Sequence, residues 1–176
     1  ERYPTWEEVR DAPLPELEDA IRPGGLAQQK APRIQAILEQ LGEPPDLDWT
    51  ETAPLAESRE YLLSLPGVGR KTAACVLAFT WGLPEIPVDV HVHRVGGRLG
   101  LFPEGVSLDK AHDTMLEVVP PEDGYELHIN LIRHGRTICR PKPRCGECGL
   151  RRMCPWYREH REGARAGAAG SIRAAR

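Results

Sequence analysis

Leucine, isoleucine, valine and alanine recur along most of this chain at intervals of three and four, the spacing that lines one face of a helix. The pattern predicts helices over Thr5–Asp11, Leu14–Ile21, Gln29–Leu41, Thr52–Leu55, Ala56–Ser64, Lys71–Thr80, Val90–Leu99, Leu108–Val119, Gly124–Thr137 and Cys145–Met153. Alternating runs of Val, Ile, Tyr and Thr, the mark of strands, are nearly absent, so the expected fold is all-α. Helix-breaking stretches separate the segments: RPGGL (Arg22 to Leu26), GEPPDLDW (Gly42 to Trp49), LPEIPVD (Leu83 to Asp89) and VPPEDG (Val119 to Gly124). From Gly163 onward, GARAGAAGSIRAAR has no apolar periodicity and is expected to be disordered.

The chain has 176 residues, 40% of them hydrophobic, enough to bury a core in one domain or two lobes. No run of about 18 apolar residues predicts a membrane span, and no charged-then-apolar leader opens the chain. Because residue 1 is Glu, a leading segment is expected to be missing. The net charge of −3 hides a gradient: 6 Lys or Arg stand against 14 Asp or Glu in residues 1–60, 5 against 9 in 61–130, and 12 against 3 in 131–176. A basic C-terminal quarter suits a polyanion such as nucleic acid, or is a solvated tail.

The segment YLLSLPGVGRKTAACVLAF (Tyr61 to Phe79) runs from one apolar helix through Pro-Gly-Val-Gly into another, a helix-hairpin-helix. Gly67 and Gly69 permit positive φ and close backbone approach, so the N–H groups around Gly67, Val68, Gly69 and Arg70 form a ready phosphate site. Such a hairpin holds a DNA backbone without reading its sequence. A nucleotide-binding P-loop is excluded because Lys71 follows Arg70 and position 64 is Ser, and a dinucleotide fingerprint because position 72 is Thr. Lys71 meets the positive end of a helix dipole beside Arg70; together with partial burial, this would favour the neutral, nucleophilic amine. The other reading pairs Lys71 with a phosphate. Asp89, 18 residues on, suits a helix N-cap, and equally a carboxylate that steadies a cationic transition state.

Cys139, Cys145, Cys148 and Cys154 crowd into 16 residues with the spacing C-x5-C-x2-C-x5-C, which points to a metal or cluster site rather than to disulfides. Four thiolates can hold zinc or a [4Fe–4S] cluster, and spacing alone does not decide between them. Arg140, Lys142 and Arg144 alternate with prolines in the first loop, a pre-ordered phosphate clamp. Cys75, amid Ala and Val, is expected to be a buried apolar residue.

LPGVGRKTA, VDVHVHRV, LIRHGRTIC and the four cysteines together resemble the endonuclease III branch of the helix-hairpin-helix DNA glycosylases, over essentially Tyr3 to Tyr157. The resemblance implies a two-lobe fold with a C-terminal [4Fe–4S] loop: a helical-bundle lobe over residues 1–87, a cluster lobe over 88–158 and a disordered basic tail over 159–176. DNA would lie in the cleft between lobes. It implies a bifunctional glycosylase and abasic-site lyase acting on oxidised pyrimidines in duplex DNA, with Lys71 as nucleophile and Asp89 as catalytic carboxylate. Leu26 in the GGLAQQKA turn is the implied wedge that fills the gap left by a flipped base, with Gln28 nearby. A monomer acting on nucleoid DNA in the cytoplasm is expected.

Three departures accompany the resemblance. The first cysteine gap is x5 where the family has x6, Val90 stands where a Thr is common, and about the first quarter of a typical family chain has no counterpart here. Rival expectations are a helix-hairpin-helix glycosylase of different base specificity and a non-catalytic DNA-binding module. His134 is expected to make a structural contact.

Overall fold

The computed structural model describes residues 2–160, and among them every regular element is helical. In order these are α1 (Trp6–Asp11), α2 (Leu14–Ile21), α3 (Ala27–Leu41), α4 (Trp49–Thr52), α5 (Leu55–Ser64), α6 (Arg70–Thr80), α7 (Val90–Leu99), α8 (Leu108–Val118) and α9 (Gly124–Thr137). Single 3-10 turns lie at Arg22–Gly24, Pro121–Asp123 and Cys145–Glu147, and residues 155–160 form a last helical segment.

Two expected helices differ. The one over Thr52–Leu55 is cut by Pro54, which lacks an N–H and drives Ala53 to an extended backbone (φ −70°, ψ 161°); α4 therefore ends at Thr52. Cys145–Met153 forms one 3-10 turn followed by irregular turns rather than a helix. There Arg151 Nη1 donates to Gly146 O at 2.9 Å, a side-chain bond closing the loop where helical backbone bonds would otherwise run. Glu159 and His160 close the helical segment 155–160, and the rest of the expected tail, 161–176, lies outside the described residues.

The chain divides into two compact units after Leu83 rather than after residue 87. Burial explains the shift, because Ile86 and Val88 sit in the core of the second unit with Val92, Val95, Met115 and Leu131. In the first unit α5 and α6 close over Leu62, Leu65, Ala73 and Leu77, while Ala12, Leu17 and Ala31 tie α1, α2 and α3 together. Each buried leucine contributes about 1.5–3 kcal/mol. Buried Thr50 is satisfied on both sides: its hydroxyl donates to Leu47 O and accepts from Trp81 Nε1, and its carbonyl accepts from Ser58 Oγ. In the second unit α7 crosses α9 at Gly135, where a Cβ would come within 3.0 Å of His91 Cβ and 3.2 Å of Val95 Cγ2.

Candidate functional site

In the first unit, Leu65 adopts an extended backbone after α5, and Val68 N–H returns to Leu65 O at 3.1 Å to close the hairpin turn. Gly67 has φ +74°, the left-handed region that L residues avoid, and a Cβ there would run into the Arg33 side chain, with Nε at 2.9 Å. Gly69 differs from the expectation: its backbone is extended (φ −96°, ψ 174°), which any residue can adopt, and no atom lies within 4 Å of a Cβ built there. Its glycine keeps the approach to α6 open rather than permitting a special turn. Val68 packs against the α5–α6 core, so its side chain anchors the hairpin and leaves the backbone as the exposed face.

α6 begins with no side-chain cap and no acidic residue in its first turn. Its first N–H groups therefore lack the internal acceptor that Ser, Asp or Asn would supply. Arg70 and Lys71 occupy that turn. Among the described residues Lys71 is exposed rather than partly buried as expected, while Arg70 is half-buried.

Leu26 precedes α3 at φ 56°, the one non-glycine residue with positive φ among those described, and is 67% exposed. A leucine held in this region carries about 1–2 kcal/mol of strain. Lys30 Nζ fixes the loop by donating to Gly24 O at 2.8 Å. Gln28 is exposed in the first turn of α3.

In the second unit, Asp89 caps α7. Its Oδ1 accepts from His91 N–H and Val92 N–H, each at 2.8 Å, so the carboxylate sits at the positive end of the helix with Oδ2 outside the cap. The capping and chemical readings of Asp89 are compatible, because each can use a different oxygen. The residues just before it are held by two buried rings: Val88 N–H donates to His112 Nε2 at 3.0 Å, and His128 Nδ1 donates to Pro87 O at 2.7 Å. The neighbouring Val90 is exposed, at 67%.

Cys139, Cys145, Cys148 and Cys154 line one cavity with Arg98, His134 and Trp156, and all carry free thiols. Burial pushes the Cys145 thiol above its usual range, and the neighbouring Cys139, Cys148 and Cys154 push it further. Among the described residues no group of three or more His, Cys, Asp or Glu side chains is arranged to hold a single metal ion. Cys75, expected to be buried, is half-buried on α6 in the first unit.

Several residues that hold this region are absent from the sequence expectations. Buried Arg98 donates to Cys139 Sγ at 3.5 Å, to Arg140 O at 2.8 Å and to Pro141 O at 3.1 Å, and stacks on Trp156. Arg94 donates to Cys139 O and Gly135 O, each at 3.0 Å. His134 makes the expected structural contact, with Nε2 3.6 Å from Cys148 Sγ; burial lowers its pKa. The signal for His112 and His128 was available: each interrupts an apolar helical face at three- and four-residue spacing, and Arg98 follows buried Val92 and Val95 in steps of three.

The basic loop is less uniform than its composition suggests. Arg140 Nε is engaged by Arg136 O at 3.0 Å, and Arg144 leans 3.7 Å from Glu147. Lys142 is exposed.

Residues 1–121 match the family model described as HhH-GPD superfamily base excision DNA repair protein. Endonuclease III of Bacillus subtilis (strain 168) is 38% identical over 155 residues, covering 88% of this chain and 68% of that protein. A solved non-covalent endonuclease III–DNA complex superposes with a TM-score of 0.77 at 34% identity, covering 92% of this chain and 73% of that one. A trapped endonuclease III–DNA covalent intermediate gives a TM-score of 0.75, also at 34% identity, over 90% of this chain and 72% of that one. With a family model spanning more than half its length and a relative of this identity, the chain belongs to the HhH-GPD superfamily of base excision DNA repair proteins, in its endonuclease III branch.

Proposed function

We propose that this protein is a DNA glycosylase and abasic-site lyase of base excision repair that removes oxidised pyrimidines from duplex DNA. The observation that carries it is Lys71, an exposed amine in the uncapped first turn of the hairpin's second helix. A module that only grips the backbone needs the hairpin amides and no nucleophile. In its favour too, one structural neighbour is a trapped covalent intermediate of endonuclease III with DNA.

The hairpin amides would take phosphate oxygens, and Leu26 would fill the space of a base rotated out of the stack, since the glycosidic carbon is inaccessible in a paired duplex. Lys71 Nζ, once deprotonated, forms a bond to the sugar C1′ as the glycosidic bond breaks and the base leaves with its electron pair. Opening of the sugar ring gives the imine. Loss of a C2′ proton then expels the 3′ phosphate oxygen and breaks the strand. Asp89 Oδ2, the oxygen outside the cap, is suited to balance positive charge at C1′ and to relay protons.

Cys139, Cys145, Cys148 and Cys154 would hold a [4Fe–4S] cluster. The residues fit: four free thiols face one cavity, and Arg98 and His134 approach two of the sulfurs. The cluster would cross-link the loop structurally, and Arg98, bonded to Cys139 and to the carbonyls of Arg140 and Pro141, would hold the basic segment in place. In this reading the protein works as a monomer on nucleoid DNA.

Borohydride trapping on duplexes carrying an abasic site or thymine glycol tests the reading. A covalent adduct formed by the chain and lost in Lys71→Gln is expected. Salt-sensitive binding with no adduct and no cleavage would instead make this a binding module, and cleavage confined to mismatched or purine-lesion duplexes would replace the substrate class.

A further inference from the structure

Glu85 to Val88 are buried yet belong to no helix, so their backbone polar groups cannot be satisfied by regular structure. Two histidines from different helices meet part of this need. His112 of α8, 1% exposed, donates from Nδ1 to Leu108 O at 3.0 Å, which leaves Nε2 as the acceptor for Val88 N–H. Those two partners define the neutral ring with its proton on Nδ1. His128 of α9, 2% exposed, donates Nδ1–H to Pro87 O. Pro87 and Val88 are the two residues before Asp89, whose Oδ1 is tied on the other side to α7 amides.

Both rings occupy core positions, His112 between Ala111 and Met115 on the buried face of α8 and His128 between Gly124 and Leu131 on that of α9. Burying an imidazole is unfavourable unless it is hydrogen-bonded, and an apolar side chain would fill either place without that demand. What the rings supply is direction: one accepts from, and one donates to, adjacent residues of a segment that belongs to no helix.

We propose that His112 and His128 are positioning residues that set the backbone entering Asp89 and thereby aim its free carboxylate oxygen, an inference resting on the catalytic role proposed for Asp89. The test measures single-turnover lyase and glycosylase rates, duplex affinity and melting temperature of the full chain. His112→Leu and His128→Leu are compared with His112→Gln, whose amide oxygen reaches the place of Nε2, and with His128→Asn, whose amide nitrogen reaches that of Nδ1. The Leu variants should lose about 10- to 100-fold in rate, as expected for a misplaced reacting group, with affinity for an abasic-analogue duplex held within about 2-fold. The amide variants should recover most of the rate. Added to Asp89→Asn, His112→Leu should lower the rate by no more than about 2-fold further, because the ring acts through that carboxylate. Should a Leu variant fail to fold, His112→Asn carries the comparison: its amide stops short of Val88 N–H, so it should lose rate where His112→Gln keeps it. Full rates in the Leu variants or in His112→Asn, or an undiminished loss on the Asp89→Asn background, would overturn the inference alone. A wild-type chain inactive on every duplex would overturn the proposed function and this inference with it.

Discussion

Gly67 and Gly69 stand two residues apart in one hairpin, yet their replacement by alanine should fail in opposite ways. At Gly67 the Cβ meets the middle of the exposed Arg33 side chain, at Cγ, Cδ and Nε, which must rotate away to make room. The backbone cannot move as easily: φ is +74°, and holding alanine there costs about 1–2 kcal/mol. For a chain of this length that corresponds to a fall in melting temperature of about 2–8 °C. At Gly69 the backbone is extended and the space around a Cβ is open, so the gain of about 0.4–1 kcal/mol through the unfolded chain offsets alanine's poorer N-cap, and stability should stay within about 1 kcal/mol of wild type. That open space is where a DNA phosphate would approach the first amides of α6. A methyl group there should cost one charge-assisted hydrogen bond, about 1.5–3 kcal/mol or roughly 10- to 100-fold in duplex affinity. Thermal unfolding and titration of a fluorescent abasic-analogue duplex at fixed salt read the two effects separately. Equal destabilisation by both substitutions, or wild-type affinity in Gly69→Ala, would refute the reasoning.

Asp89→Ala should lose about 1 kcal/mol of stability with the α7 cap, whereas Asp89→Asn should keep the cap and the melting temperature while strand cleavage drops at least about 100-fold, as product gels on an abasic duplex would read. Because Arg140 and Arg144 already have partners, Lys142→Ala should weaken binding to all duplexes alike and reduce the slope of log affinity against log salt by about 0.9, measured by titration across salt concentrations. Cys148→Ser should leave the purified chain with less iron per molecule than wild type and a lower melting temperature; unchanged iron content would remove Cys148 from the ligand set.

Much of the helical layout was legible because its cause is local. Apolar spacing in α7, α8 and α9 and the prolines between elements are properties of short windows, and α2 and α9 run between the residues that their periodicity indicates. The loop over Cys145–Met153 was not legible: its residues read as helical, but turns and the Arg151–Gly146 bond shape it. The exposure of Leu26 followed from its glycine-rich surroundings, but its left-handed backbone did not, since composition carries no φ. The roles of histidine and arginine at core positions are not legible, because the periodicity of a helix marks where a side chain is buried and says nothing of which carbonyl it will meet. Arg98 needed Pro141, 43 residues away, to acquire a role.

The uncapped start of α6 makes this helix an unfinished object in isolation. A phosphate seated on its first amides would do the work that a serine or aspartate does at the start of an ordinary helix, with the missing acceptor arriving from another molecule. Binding to the native chain and not to the unfolded one raises stability by RT ln(1 + [DNA]/Kd), about 2.7 kcal/mol at a hundredfold excess over Kd. A melting curve of the bare protein therefore describes a hairpin lacking one of its own structural parts, and the stability relevant to a chain surrounded by DNA is a function of DNA concentration.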